Sequence, residues 1–221
     1  MAKSDPKLDK WINWIAVIQD DVTQIVIAKD IFWSVQDLIK ANPAIHTPSI
    51  FYWYMGNTYV AYALTGIRRQ VKPQKDSIAL KQLLTEILQD PDKVSRRYYR
   101  SLYTDLDKAH FADGHFDRFC AAPGDPHISA AMVQEDLNKL VASAATCEDL
   151  ADKRIAHRDK RAPLALPTFK EADKAIDTLH ELCLKYRIIL LADYQTSLLP
   201  ACQYDWQEVF DHAWRQPATS P

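Results

Sequence analysis

The placement of proline and glycine constrains the fold of this chain more than any other feature. The sequence has only 4 glycines, while its 12 prolines fall almost entirely between periodic segments. Strands need tight turns, which glycine supplies, whereas helices mainly need stops, and proline supplies these because it lacks the N–H that continues a helix. The pattern predicts an all-α fold, and we expect a single-domain, up-and-down helical bundle over residues 1–221.

Between these stops, apolar residues recur every three or four positions, as they do on the buried face of a helix. The predicted helices have the approximate bounds 7–41, 49–71, 77–88, 92–106, 129 to just before Pro163 or Pro167, 169–199 and 204–214. Asp76 or Ser77 is expected to cap the third of them. Residues 109–120 fit no single pattern, and 201–221 is predicted to be a short helix and a tail.

The charge balance limits the partners of the chain. Its formal net charge at pH 7 is -2, and its isoelectric point is near 6.4. A protein with this balance lacks the general positive field of a nucleic-acid coat protein. Any contact with RNA is therefore expected to come from a local basic cluster.

Cysteine usage and hydropathy indicate the cellular compartment. The four cysteines are far apart and form no Cys-x-x-Cys pair, so they are expected to be reduced packing residues. They are Cys120, Cys147, Cys183 and Cys202. The N-terminus lacks the apolar region of a signal peptide, and no segment has the apolar run of a membrane span. The cytoplasm is therefore the expected location, with no membrane partner.

Residues 149–161, which read DLADKRIAHRDKR, are the strongest functional signal in the sequence. They place His157 among four basic residues, namely Arg154, Arg158, Lys160 and Arg161. Histidine exchanges a proton near neutral pH, and guanidinium groups are planar forks suited to phosphate. A base beside an anion clamp is the minimum equipment for metal-independent cleavage of RNA.

Helical geometry would bring the side chains of this motif together. At about 100° per residue, Arg154 and Arg161 lie on the same face as His157, three positions before it and four after it. This face is nearly opposite the predicted core side, which includes Val141. It also carries Leu150, so we expect the motif to pack against a second partner, such as another subunit.

A purely structural interpretation of the motif stays open. The helix dipole favours basic residues near the C-terminal end of a helix. Surface clusters of this kind are common, and Asp152 and Asp159 would pair with them. In that case the motif is a solvated charged face rather than a site.

Three segments of the chain resemble those of one known group of helical proteins. Residues 152–160 (DKRIAHRDK) carry the main likeness, and 64–71 (LTGIRRQV) and 76–84 (DSIALKQLL) follow the same order as in that group. The chain resembles the HEPN superfamily, specifically its abortive-infection branch, over most of 7–199. The resemblance implies an all-α domain with a HEPN-like core, from a prokaryotic phage-defence or toxin–antitoxin system.

The resemblance also implies an activity. Several members are endoribonucleases that need no metal or cofactor, so His157 would activate the 2′-hydroxyl of RNA or protonate the leaving oxygen. Two subunits would pair across the motif helices, and the products would be a cyclic phosphate and a free 5′-hydroxyl. The arginines implied to act with His157 are Arg154 in catalysis and Arg68, Arg69, Arg158 and Arg161 in RNA binding.

The chain departs from the family pattern at one point. The family has an arginine separated from the histidine by four to six residues, but here those positions hold Asp152, Ala151 and Leu150. The nearest preceding arginine is Arg154. Two hypotheses therefore stand side by side. One is a dimeric endoribonuclease with an RNA substrate and an antitoxin partner. The other is a non-catalytic module of the same fold that serves dimerisation or partner binding.

Two further clusters invite a functional interpretation. His110 and His115 lie among aspartates, but their spacing is not that of a helical zinc pair, so we expect a polar loop and no metal site. These aspartates are Asp105, Asp107, Asp113 and Asp117. The aromatic run 51–54 (FYWY) has rings that stack on bases in some proteins. Aromatic residues at helical spacing more often pack in a core or an interface, and this is the expectation here.

Overall fold

The first helix, α1, shows how closely the local sequence determines the elements. The computed structural model describes residues 5–74, 76–104, 109–156 and 159–211. In it α1 spans Pro6–Ala41, and the side chain of Asp5 accepts a hydrogen bond of 2.9 Å from the backbone N–H of Lys7. Such a cap satisfies a backbone donor that has no partner inside the helix, and proline is favoured at the first helical position.

Six more α-helices follow in the described ranges, and the predicted all-α helical bundle is confirmed. They are α2 (Ile50–Val71), α3 (Leu80–Gln89), α4 (Arg96–Ser101), α5 (Ala112–Asp117), α6 (Ala130–Leu150) and α7 (Phe169–Leu191). Short 3-10 helices occupy Pro91–Lys93 and Trp206–Asp211, and a π-helical turn, Ala151–Ala156, extends α6. In these ranges there is no strand, and no helix is long and apolar enough to cross a membrane.

The core lies where α7 packs against α1 and α6, with α2 and α3 closing the sides. The buried face of α1 follows the predicted spacing, and its fully buried members are Trp11, Ile15, Ile18 and Val22. Burying one large apolar side chain contributes roughly 1.5–3 kcal/mol, so this face holds a long helix in place. Helices α1 and α2 also approach closely, because a Cβ added at Gly66 would lie 2.7 Å from Cδ1 of Ile25.

The predicted start of α3 is wrong, and a distant side chain explains the difference. The helix begins at Leu80 after Ala79, rather than after Asp76 or Ser77. The side chain of Gln70, on α2, is fully buried and accepts a hydrogen bond of 2.9 Å from the backbone N–H of Leu80. Gln70 therefore supplies the cap that a local side chain usually provides.

Four other predicted bounds also change. The helix predicted from 129 to just before Pro163 or Pro167 ends with the π-helical turn at Ala156, and the described residues 159–168 are not helical. The backbone N–H of Asp159 donates to the carbonyl of Lys153 at 3.1 Å, a wider bond than that of an α-helix.

The helix predicted over 92–106 is a 3-10 turn followed by α4, and the terminal helix is a 3-10 helix over Trp206–Asp211. Helix α7 ends at Leu191 rather than 199, because Ala192 adopts a left-handed conformation with φ 51°. This conformation commonly ends helices, because it lets a backbone N–H at the helix end donate a hydrogen bond to a carbonyl group of the last turn.

A hydrogen bond to a histidine of α7 holds the following segment of the chain against this helix. The backbone N–H of Leu198 donates a hydrogen bond of 3.0 Å to Nε2 of His180. Burial lowers the pKa of His180 below its ordinary value, although the charge of Asp177 acts in the opposite direction. The neutral ring is therefore the form that the fold requires.

This contact predicts a loss of stability at low pH. Since the pKa of His180 is lower in the folded state, its contribution is complete above about pH 6.5 and is lost as the pH falls through the folded pKa. We expect the free energy of unfolding to fall by about 1 kcal/mol, the value of one hydrogen bond. Urea unfolding at several pH values measures it. His180→Gln should remove this pH-dependent component, and an unchanged pH profile in the variant would contradict the assignment.

Candidate functional site

Helix α6 presents most of its predicted face to the core, and Val141 is the exception. The buried residues of the helix and its extension are spaced by three or four positions and include Leu140, Ala144, Cys147 and Ala151. Val141, which was predicted to lie on this side, is 40% exposed and lines a cleft instead. The core stripe thus follows Leu140 rather than its neighbour, because consecutive residues diverge by about 100° around the helix.

The motif begins where α6 changes its hydrogen-bonding pattern. Residues Ala151–Ala156 form a π-helical turn rather than a continuation of the α-helix. Such turns are rare and frequently occur at functional sites. The described residues then resume at Asp159, so the predicted site residues His157 and Arg158 lie outside them.

Asp152 ties the π-turn to the end of α2. Its carboxylate accepts hydrogen bonds from Nε of Arg68 and from Nζ of Lys72, and Lys72 also lies 3.1 Å from Glu148. Partial burial raises the pKa of Asp152, but the bonds from Lys72 and Arg68 outweigh this effect, so its pKa lies below the usual range. These four side chains form what we call the Asp152 cluster.

The two arginines that flank positions 157 and 158, Arg154 and Arg161, meet at Asp159. Nη1 of Arg154 donates a hydrogen bond of 2.8 Å to the backbone carbonyl of Asp159. Arg161 binds the carboxylate of Asp159, with Nη2 at 2.6 Å from Oδ2 and Nε at 3.1 Å from Oδ1. Hydrogen bonds from the side chain and backbone of Arg161 hold the pKa of Asp159 well below its usual range. Arg154 is exposed, and its hydrogen bonds to other described residues go only to carbonyl oxygens.

The structure separates the two arginines of the second helix. Arg68 reaches the π-turn through Asp152, whereas Arg69 lies 3.0 Å from Asp21 on α1. Adjacent helical residues point about 100° apart, so only one of the pair faces the motif. Among the predicted RNA-binding residues, Arg68 and Arg161 therefore lie near the motif, and Arg69 lies away from it.

A cleft of about 580 Å³ lies beside the motif, between α2, α6 and the loop that follows the π-turn. Its charged lining has four carboxylates and three cations. They are Glu148, Asp149, Asp152 and Asp159 against Lys72, Lys153 and Arg161. Lys153 lies 2.6 Å from Asp149, whose carboxylate also accepts from the backbone N–H of Leu164 at 2.7 Å. The cleft therefore carries no excess positive charge, and a phosphate would depend on Arg154 and Arg68, which do not line it.

The other two clusters occupy separate regions. Nδ1 of His115 is hydrogen-bonded to the hydroxyl of Tyr103 at 2.8 Å, and no group of three potential metal ligands occurs among the residues that the structure describes. Asp105 and Asp107 lie outside them. The run 51–54 does not enter the core of this chain: burial on α2 starts at Tyr59, and Trp53 is 64% exposed.

Sequence reasoning missed the part of the site that α2 contributes besides Arg68. Lys72 lies four residues after Arg68, a spacing that places both on one face of a helix, and this was the available signal. Its partners on α6 have no sequence signature. No family model, curated protein or solved structure matches the chain, so the assignment of the site rests on its own geometry.

Proposed function

We propose that this chain is a HEPN-like cytoplasmic protein of a phage-defence or toxin-type system that cleaves RNA without a metal ion. One observation carries the proposal. Asp152, five residues before His157, holds the guanidinium of Arg68. The family pattern has an arginine at such a position. In this chain the residue there is Asp152, and the arginine in contact with it is Arg68 from α2. This contact supports the proposal that Arg68 takes the role of the arginine that the sequence lacks at 150–152.

The chemistry follows from the side chains available. His157 takes the proton of the ribose 2′-hydroxyl, the oxygen attacks the adjacent phosphorus, and the bond from this phosphorus to the 5′-oxygen of the next nucleotide breaks. The departing oxygen takes a proton from water and becomes a free 5′-hydroxyl, the phosphate is left as a 2′,3′-cyclic ester, and His157 returns its proton to the solvent. Arg154 neutralises charge that develops on the phosphate, since its hydrogen bonds to described residues go only to carbonyl oxygens and it keeps its full charge. Arg68 uses Nε for Asp152, and its Nη groups make no hydrogen bond to another described residue. They are free to face a phosphate oxygen.

The test is an RNA-cleavage assay in the presence of a chelator. We expect the wild-type protein to cut single-stranded RNA and His157→Ala to lose this activity. His180→Gln is the control, because His180 lies on α7, accepts a hydrogen bond from the backbone N–H of Leu198 and does not line the motif cleft. Equal cleavage by the wild type and His157→Ala would remove the nuclease proposal, because a contaminating enzyme would then account for the activity.

The second candidate is a non-catalytic module for dimerisation or antitoxin binding. One observation favours it: Leu164 and Leu166, in the loop after the motif, are 89% and 73% exposed. Apolar side chains so exposed are typical of surfaces that a partner covers. The same assay separates the candidates, because a binding module shows no cleavage by the wild type at any protein concentration.

A further inference from the structure

An aromatic groove of about 440 Å³ lies between α1, the first half of α2 and the start of α7. Five of its nine lining residues carry aromatic rings: Phe32, Trp33, Tyr52, Trp53 and Phe169. None of the nine is charged. The groove is separate from the motif cleft, with which it shares no lining residue.

The walls of the aromatic groove are fixed before any ligand arrives. The carboxylate of Asp173 accepts a hydrogen bond of 3.0 Å from Nε1 of Trp33 and another of 3.1 Å from the hydroxyl of Tyr59. Phe32 stacks on Tyr59, with ring centres 4.1 Å apart and planes 7° from parallel. Rings that are already ordered lose little entropy on binding, which favours affinity.

One residue that lines the groove is a glycine, although the packing of the fold does not require glycine at that position. Gly56 lies inside α2, and a Cβ added there would meet no atom within 4 Å. Glycine inside a helix costs about 1 kcal/mol relative to alanine, so packing gives no reason for it. Beside it, Trp53 is 64% exposed and Phe169 is 41% exposed. Two aromatic rings thus border an open space.

Two side-chain amides supply the polar groups of the groove. Asn57 donates through Nδ2 to the carbonyl of Trp53 at 2.7 Å, which leaves its Oδ1 as an acceptor. The amide of Gln36 makes no hydrogen bond to another described residue, so it can both donate and accept. Aromatic faces beside amide groups suit a flat, uncharged ring with a hydrogen-bonding edge. Aromatic faces also attract cations, but the two amides, Gln36 and Asn57, offer hydrogen-bonding groups to the edge of a flat ring, and no carboxylate lines the groove to pair with a cation. A base is therefore the occupant that uses both kinds of group.

We propose that the aromatic groove binds a nucleobase, stacked on Trp53 and Phe169 and read at its edge by Gln36 and Asn57. The base comes from single-stranded RNA or from a free nucleotide. The RNA source rests on the proposed function, since α2 contributes Asn57 to the groove and Arg68 to the Asp152 cluster. Asn57 and Arg68 are eleven residues apart, or about 16 Å along the helix.

Calorimetric titration of the full chain with AMP, GMP, CMP and UMP tests the proposal. At least one nucleotide should bind, while ribose 5-phosphate, which has no base, should not. Trp53→Ala should weaken the binding by about tenfold, within the range measured for loss of one stacking ring. Tyr54→Ala is the matched control, because Tyr54 is equally exposed but does not line the groove. It should bind as the wild type does.

A second arm identifies the source of the base. Titration of single-stranded RNA oligonucleotides into the same proteins should show the Trp53→Ala effect if RNA is bound, and only the free nucleotides should show it otherwise. Both results support the groove as a base site. Equal binding of ribose 5-phosphate, no binding of any probe, or an equal effect of Tyr54→Ala would overturn it. The proposal would also be overturned if light scattering showed that Trp53→Ala changes the oligomeric state while nucleotide binding stays the same. The groove would then be a protein interface.

Failure of this inference is distinguishable from failure of the proposed function. The nucleotide titrations require no cleavage, so they test the groove whether or not the chain cuts RNA. Loss of cleavage with intact nucleotide binding leaves the base site standing. If the wild type cleaves RNA normally and Trp53→Ala binds nucleotides as the wild type does, only the base site is refuted.

Discussion

Replacing Arg154 with alanine is expected to lower the rate of RNA cleavage by about 100-fold, the effect of removing one donor that stabilises charge in a transition state. Arg154 is exposed and binds carbonyl oxygens of Lys153 and Asp159, so no described carboxylate competes for its charge. A phosphate would therefore meet a full positive charge. Single-turnover cleavage of a labelled oligonucleotide in chelator measures the effect.

The control for this variant is Arg69→Ala. Arg69 is also an exposed arginine, but it pairs with Asp21 on α1, away from the motif. Its removal should change the cleavage rate by no more than about twofold, as expected for a surface substitution outside a site. If the two variants lose activity equally, the effect comes from overall charge, and the assignment of Arg154 is wrong.

The second large effect concerns stability. Replacing Asp136 with alanine is expected to lower the free energy of unfolding by about 3 kcal/mol, because it leaves two partners in the core region without their acceptor. Asp136 is buried on α6 and accepts from the hydroxyl of Tyr186 at 3.0 Å and from Nζ of Lys185 at 2.9 Å. Burial, with Asp136 adding to it, raises the pKa of Tyr186, so the hydroxyl stays protonated and donates.

Urea unfolding of Asp136→Ala measures this loss, and two variants separate its causes. Tyr186→Phe removes only the hydroxyl, so it should cost about 1 kcal/mol. Asp136→Asn keeps an acceptor but loses the charge that pairs with Lys185, and should lie between the other two. If Asp136→Ala lowers the free energy of unfolding no more than Tyr186→Phe does, the prediction is wrong. Lys185 would then be hydrated by water once its partner is removed.

The long helices could be predicted from the sequence because each carries its own boundary signals. Asp5 and Pro6 start α1 with a cap, and the prolines that follow Ala41 stop it. The apolar spacing then identified the buried face of α1 correctly. These signals are local, and local interactions are read directly from a chain.

The features that could not be predicted have no signal in the local sequence pattern. The start of α3 depends on Gln70, ten residues before Leu80 and on another helix. The end of α7 depends on the backbone of Ala192, a residue with no preference for the left-handed conformation. Neither has a periodic signature, so pattern reasoning extended or shifted both helices.

The candidate site divides in the same way. The spacing of the motif predicted Arg154 and Arg161 on one face of a continuing helix. Among the described residues the helical structure ends at Ala156, and Arg161 lies in the following loop, where both arginines bind Asp159. Arg68 and Arg69 were predicted together, but only Arg68 reaches the π-turn. The partner that selects it is Asp152, which accepts a hydrogen bond from Nε of Arg68.

Cleavage of RNA and of its all-deoxy counterpart, side by side in chelator, tests the central claim most directly. The histidine mechanism needs the 2′-hydroxyl, so the RNA should be cut to products with a 2′,3′-cyclic phosphate and a free 5′-hydroxyl, and the all-deoxy strand should stay intact. Cleavage of both strands, or RNA products with a 5′-phosphate, would contradict the account.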